Sequence, residues 1–120
     1  MIIQKKIEKL IAEYIDPNLI TEANKDSLSQ IPSNEGLYLF IEKSKENPNK
    51  VVYVGESINF KKRINANHSS FKYLYDNRKE FFIRTYPIIN KAISTKMLEI
   101  LVLNYLYYEL DFYPQLNREI

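Results

Sequence analysis

The 120-residue chain is long enough for one domain with a real core and too short for two. It has no cysteine, which excludes disulfides and thiolate metal sites, and its 45% hydrophobic and 27% charged content is ordinary for a soluble globular protein. The formal net charge is only +2 but uneven: residues 1–55 carry seven basic and eight acidic side chains, residues 56–96 nine and three, and residues 97–120 one and four. A polyanion would dock on that basic middle third, or Lys61, Lys62, Lys72 and Lys79 are simply solvated faces, the reading that the charge map taken alone favours.

In chain order, residues 2–15 are predicted to form an amphipathic helix, because Ile3, Ile7, Leu10, Ile11 and Tyr14 recur at helical spacing with lysines and glutamates between them. Asp16-Pro17 ends it. Lys5, Lys6, Glu8 and Lys9 break any secretory pattern, and the longest apolar region, Met97–Tyr108, is too short to span a bilayer. The expectation is a soluble, intracellular, cytoplasmic protein with no membrane partner. Residues 21–30 are polar and read as a short second helix, followed by a turn at Ser33-Asn34-Glu35.

Leu37–Glu42 and Val51–Val54 read as strands joined by a polar link with the turn signal Asn47-Pro48-Asn49, hence an antiparallel hairpin. Tyr38 and Phe40 share one face. A register pairing Glu42 with Asn49 sets Tyr38 opposite Tyr53. Ser57 is placed as the cap of a helix running through Asn67 or His68, with Phe60 and Ile64 buried, Lys62 outward and Arg63 at the edge. Residues 70–79 form another helix with Phe71, Leu74 and Tyr75 inward. Glu80–Tyr86 is a third strand ended by Pro87, and residues 94–110 form the longest helix. The predicted fold is α+β: a small central antiparallel three-stranded sheet flanked by helices. It forms a single domain over residues 1–120, with a helical extension at 1–31 and a core at 36–117.

The chain has only two glycines, and each stands beside a tyrosine in a β-like run: Gly36-Leu37-Tyr38 opens the first strand and Tyr53-Val54-Gly55 closes the second. Gly55 is expected where a phosphate backbone comes close. Glu99 is the only charge from Met97 to Tyr108, and its helical neighbours Thr95, Val102, Leu103 and Leu106 are mostly apolar. A carboxylate there needs an ion pair, for instance with Arg63 or Arg84, or a metal, or a cleft edge. Arg63 is either a core-covering stem or a two-pronged phosphate binder. His68, the one histidine, is a base, a phosphate donor or a helix-end partner.

Taken in order, Gly-Leu-Tyr, Tyr-Val-Gly, Arg63 ten residues after Tyr53, Glu99 in a late helix and then Pro114-Gln115-Leu116-Asn117 resemble the GIY-YIG nuclease superfamily over about two thirds of the chain. That superfamily includes the N-terminal nuclease of bacterial excision repair, some homing endonucleases and some restriction enzymes.

The resemblance implies a metal-dependent DNA endonuclease leaving 5′-phosphate and 3′-hydroxyl ends. Tyr38 would activate or orient water, and Tyr53 would contact the scissile phosphate or the water network. Arg63 would stabilise phosphate charge, Glu99 would bind one Mg²⁺ or Mn²⁺, and Asn117 would help organise the site. His68 is carried as catalytic although the position four after the arginine is Asn67, and Glu56 stands where some relatives have lysine. The helix-borne lysines Lys61, Lys62 and Lys72 would meet DNA. One site cuts one strand, so double-strand cutting would take a homodimer or repeated nicking. The alternative is a catalytically inactive module of the same fold that binds DNA or serves regulation.

Overall fold

The computed structural model describes residues 2–118. Its sheet has four antiparallel strands, not three: β1 (Thr21–Asn24), β2 (Gly36–Lys43), β3 (Lys50–Ser57) and β4 (Glu80–Pro87), in the order β1-β4-β2-β3. The helices are α1 (Ile3–Leu10), the single turn α2 (Phe60–Arg63), α3 (Ser69–Asp76) and α4 (Thr95–Leu110). The architecture is α+β. Among the described residues no helix is long and apolar enough to cross a membrane.

The central strand β2 is buried from Gly36 through Ile41. Both of its faces are covered, which is why its sequence is a continuous apolar run and does not alternate. Leu37, Leu39 and Ile41 face a core built with Ile7 and Ile11 from the N-terminal segment and Leu98, Val102 and Leu106 of α4. Tyr38 and Phe40 face a second core with Phe60, Ile64, Phe71, Leu74, Phe81 and Ile83. The two candidate phenols, Tyr38 and Tyr53, lie on this second face.

The residues expected as a polar helix at 21–30 instead hold strand β1 and a short 3-10 turn, Leu28–Gln30. β1 buries only Ala23. It is an edge strand held by polar contacts: Thr21 Oγ1 lies 2.5 Å from Thr85 Oγ1, and Arg84 donates to Glu22 at 2.6 Å. Arg84 also donates to Glu8 of α1 at 2.7 Å, and the buried Tyr86 hydroxyl donates to the same carboxylate at 2.5 Å. The segment expected to be wholly helical therefore also holds a strand, β1, that belongs to the sheet, while α1 packs in a core.

Three helix bounds also differ from expectation. α1 stops at Leu10 because the following chain is drawn onto the segment just after β4: Ile89 donates to the Tyr14 carbonyl, and Ile15 bridges Ile88. α2 is capped by Asn59, whose side chain accepts from Lys62 N, and not by Ser57; it ends at Arg63, where Ile64 turns extended. The Asn65 side chain then bonds both Lys62 O and Asn67 N, a local turn that competes with helix. α3 ends at Asp76, with Arg78 beyond it in the left-handed region at φ 55.

The hairpin register differs as well. Glu42 pairs with Lys50, and a bulge between Phe40 and Ile41 shifts the ladder again, so Tyr38 faces Gly55 and Phe40 faces Tyr53. Each change moves the partner by one residue. Two together move it by two, which preserves the face. Tyr38 and Tyr53 therefore remain on one side of the sheet, diagonal to one another, with ring centroids 6.1 Å apart.

Candidate active site

Tyr38 is fully buried and its ring lies across Gly55. A Cβ on Gly55 would sit 2.4 Å from Tyr38 Cζ and 2.7 Å from Tyr53 Cε2. The glycine is there to let the two phenols pack over the strand, where the sequence suggested access for a phosphate backbone. Gly36 has a comparable reason: a Cβ there would lie 2.1 Å from the Tyr86 carbonyl oxygen on β4.

The Tyr38 hydroxyl is 2.8 Å from His68 Nε2. His68 does not sit at the end of the preceding helix. It caps the next one, its Nδ1 accepting from the Ser70 backbone N–H at 3.1 Å. That bond settles the tautomer: with Nδ1 an acceptor, Nε2 carries the proton and donates to the Tyr38 oxygen. The ring is buried, stacks on Phe40 at 4.9 Å and meets Tyr53 edge-on at 5.2 Å. Burial, and then the charge of Arg63, lower its pKa to about 4. His68 is neutral at pH 7 with no free lone pair, so it positions Tyr38 and cannot serve as the base.

Arg63, at the exposed end of α2, reaches the charge environment of both phenols, which hold its own pKa up. Tyr38 is raised by burial and by Tyr53, and Tyr53 by burial and by Glu99; Arg63 pulls both down without offsetting burial. The expected lowering of the phenols by an arginine is therefore present as a contribution but not as the outcome.

Glu99 is half-buried on α4. Burial raises its pKa, the neighbouring Glu56 raises it further, and Lys96 and Arg63 pull it down. Of the two ion-pair partners considered from sequence, Arg84 is engaged by Glu8 and Glu22. Arg63 is the one that acts on Glu99. Glu56 accepts from Thr95 Oγ1 at 2.7 Å, tying β3 to the first turn of α4. Sequence reading took Glu56 as a missing cation; the fold makes it a second carboxylate beside Glu99. Its position one residue after Gly55, at the end of a strand leading to the site, was the available signal.

Asn117 is buried in the 3-10 turn Gln115–Arg118. Its Oδ1 accepts from Val54 N at 2.8 Å and its Nδ2 donates to Val54 O at 2.9 Å. Both ends of the amide serve the backbone between Tyr53 and Gly55. Asn117 therefore organises the site from behind and does not point into it. Lys61 and Lys62 on α2 and Lys72 on α3 are exposed, and Lys61 Nζ contacts Ser29 O at 3.4 Å.

Among the described residues no three His, Cys, Asp or Glu side chains gather as a metal cluster. The donor set that exists, two half-buried carboxylates whose like charges raise Glu99, suits one hard cation that keeps most of its ligands as water or phosphate oxygen. No family model matches this chain, and neither a curated protein nor a solved structure does.

Proposed function

We propose that this chain is a small metal-dependent endonuclease of the GIY-YIG type, hydrolysing DNA phosphodiester bonds. The observation that carries the reading is the convergence of Tyr38, Tyr53, Arg63 and Glu99, from four different elements, into one mutually perturbed group. Perturbed titratable groups drawn together from distant positions mark a candidate functional site.

In this reading a water oxygen attacks phosphorus and releases a proton to solvent, the bond from phosphorus to the 3′ oxygen breaks, and that oxygen leaves as a hydroxyl by taking a proton from solvent, with the phosphate kept on the 5′ end. Arg63 offsets the charge that builds on the phosphoryl oxygens. Tyr38, its oxygen accepting from His68, turns its own O–H toward Tyr53, and Tyr53, the less buried of the two phenols, meets the water and the phosphate. Glu99, with Glu56 beside it, would hold Mg²⁺ or Mn²⁺, which when bound supplies positive charge to the phosphate oxygens. Lys61, Lys62 and Lys72 meet the flanking duplex.

The test is nicking of supercoiled plasmid by purified protein with Mg²⁺ or Mn²⁺. Open circles from wild type and a loss of roughly 100-fold or more in Glu99→Gln are expected, by analogy with removing one transition-state charge partner. Equal behaviour of the two proteins refutes the reading. Salt-sensitive duplex binding without cleavage under either metal would support the non-catalytic DNA-binding module instead.

A further inference from the structure

One face of α4 packs on the sheet through Leu98, Val102 and Leu106, all fully buried. The opposite face is also apolar. Met97, Ile100, Tyr107 and Tyr108 are 56%, 42%, 53% and 75% exposed. At 100° per residue they fall on one outward stripe with Asn104. Ile100, Asn104, Tyr107 and Tyr108 border a depression of about 310 Å³, and Tyr107 is braced edge-on by both Tyr108 and Tyr113. A helix apolar all round is ordinarily covered all round.

We infer that a second copy of this chain covers this stripe, with the two α4 helices antiparallel about a two-fold axis at Asn104. Two features point to a copy of the chain itself. The first is self-complementarity. An axis at Asn104 sets Ile100 opposite Tyr108 of the other copy and Tyr108 opposite Ile100, and it brings the one polar residue of the stripe against itself. Two amides meeting across an axis satisfy each other, each offering a donor and an acceptor. The stripe holds no Lys, Arg, Asp or Glu, so no like charges meet.

The second feature is area. A tyrosine side chain offers roughly 150–250 Å², so the exposed parts of the four apolar residues amount to roughly 400–500 Å² per copy. With the helix surface around them, two copies remove roughly 1,000–1,200 Å² from water, the lower edge of specific interfaces. The dimer is therefore weak, with a Kd on the order of micromolar. Glu99 points roughly 100° round the helix from Ile100, outside the covered stripe, so a dimer carries two sites, one for each strand.

Sedimentation velocity of the whole protein across roughly 1–200 µM reads this directly. Wild type should move from 14.3 kDa toward twice that mass. Tyr108→Lys, at a highly exposed position, should weaken association at least ~10-fold while its circular dichroism and melting stay those of wild type. Asn104→Asp and Asn104→Lys should each be monomeric, and their equimolar mixture should restore the dimer, because only a two-fold at residue 104 sets the opposite charges face to face. Wild type that stays monomeric over the whole range overturns the inference, as does a dimer insensitive to Tyr108→Lys. A mixture that fails to reassociate overturns the axis. None of these readings involves hydrolysis, so this inference and the nuclease reading stand or fall separately.

Discussion

Gly55→Ala tests the core of the site with one methyl group. The new Cβ would lie 2.4 Å from Tyr38 Cζ, 2.6 Å from its hydroxyl and 2.7 Å from Tyr53 Cε2, where ordinary contact begins at 3.4 Å. Tyr38 must retreat by about 1 Å, the difference between these distances. It has nowhere to go: the ring is fully buried, edge-on to Phe60 at 6.2 Å and to Phe40 at 6.0 Å, and its hydroxyl is held by His68. Overpacking costs about 1–3 kcal/mol. A loosened buried hydrogen bond adds about 1 kcal/mol. The stiffer unfolded chain returns about 0.4–1 kcal/mol. The net loss is about 2 kcal/mol, a fall in Tm of roughly 5–10 °C for a chain of this size. Urea unfolding followed by circular dichroism measures it. The same substitution in a Tyr38→Leu, Tyr53→Leu background should cost almost nothing, since the obstructing atoms of both rings are gone, giving a coupling of about 2 kcal/mol. If the glycine and tyrosine changes add to within about 0.5 kcal/mol, Gly55 is not there for the tyrosines and the reasoning fails.

His68 gives a pH signature. Its pKa falls from 6.5 to about 4 on folding, so the unfolded chain takes a proton in a window where the folded one does not; stability is whole above pH 6.5 and is lost as pH falls toward 4. Between pH 6.5 and 5 the wild type should lose about 2 kcal/mol that His68→Gln does not lose, read from urea midpoints at each pH; parallel profiles would show that the imidazole already charges in the fold. Glu8 is lowered despite the upward push of burial, because hydrogen bonds from Tyr86 and Arg84 outweigh it. Its contribution is present above the ordinary value of 4.5 and fades as pH falls through its lowered one, so Glu8→Gln should cost about 2 kcal/mol at pH 7 and progressively less in acid. Constant cost across that range would count against the network.

What could be read in advance follows the strength of local signals. β2 was legible because a strand buried on both faces writes itself as an unbroken apolar run, and α4 because its sixteen residues need no fine boundary. β1 was not legible: an edge strand that buries one alanine and is held by Thr85 and Arg84 has no periodicity to detect. The end of α2 was missed for a related reason. Asn65 and Asn67 turn the chain through side-chain bonds that a periodic stripe does not register, although the run Asn65 to Ser70 is rich in cap-forming residues. Arg63 and Glu99 stand out from order along the chain. Glu56, the carboxylate that raises Glu99, does not, because that pairing depends on how the N-terminal turn of α4 meets the end of β3, a long-range contact carried by Thr95.

Asn117 shows how a residue away from both phenols can fix the strand beneath them. β3 is the outer strand of the sheet, so the polar backbone groups of Val54 that face away from β2 would ordinarily meet water. Instead a single buried amide takes both, imitating the next strand for one residue. Val54 stands between Tyr53 and Gly55, so this clamp fixes the backbone beneath both phenols. Asn117→Leu keeps the volume but leaves a buried donor and a buried acceptor unpaired, at about 1–3 kcal/mol each. Asn117→Asp keeps the acceptor, loses the donor and buries a charge, and is expected to be no better tolerated. Stability alone would not separate this from any core substitution, so the decisive measurement is amide exchange. The Val54 N–H should be among the protected amides of β3 in the wild type and should be exposed selectively in Asn117→Ala, while the amides of β2 that pair within the sheet stay protected. If the Val54 amide exchanges as fast in the wild type as in Asn117→Ala, the bond does not hold in solution, and Asn117 must be assigned to packing rather than to setting the geometry of Tyr53.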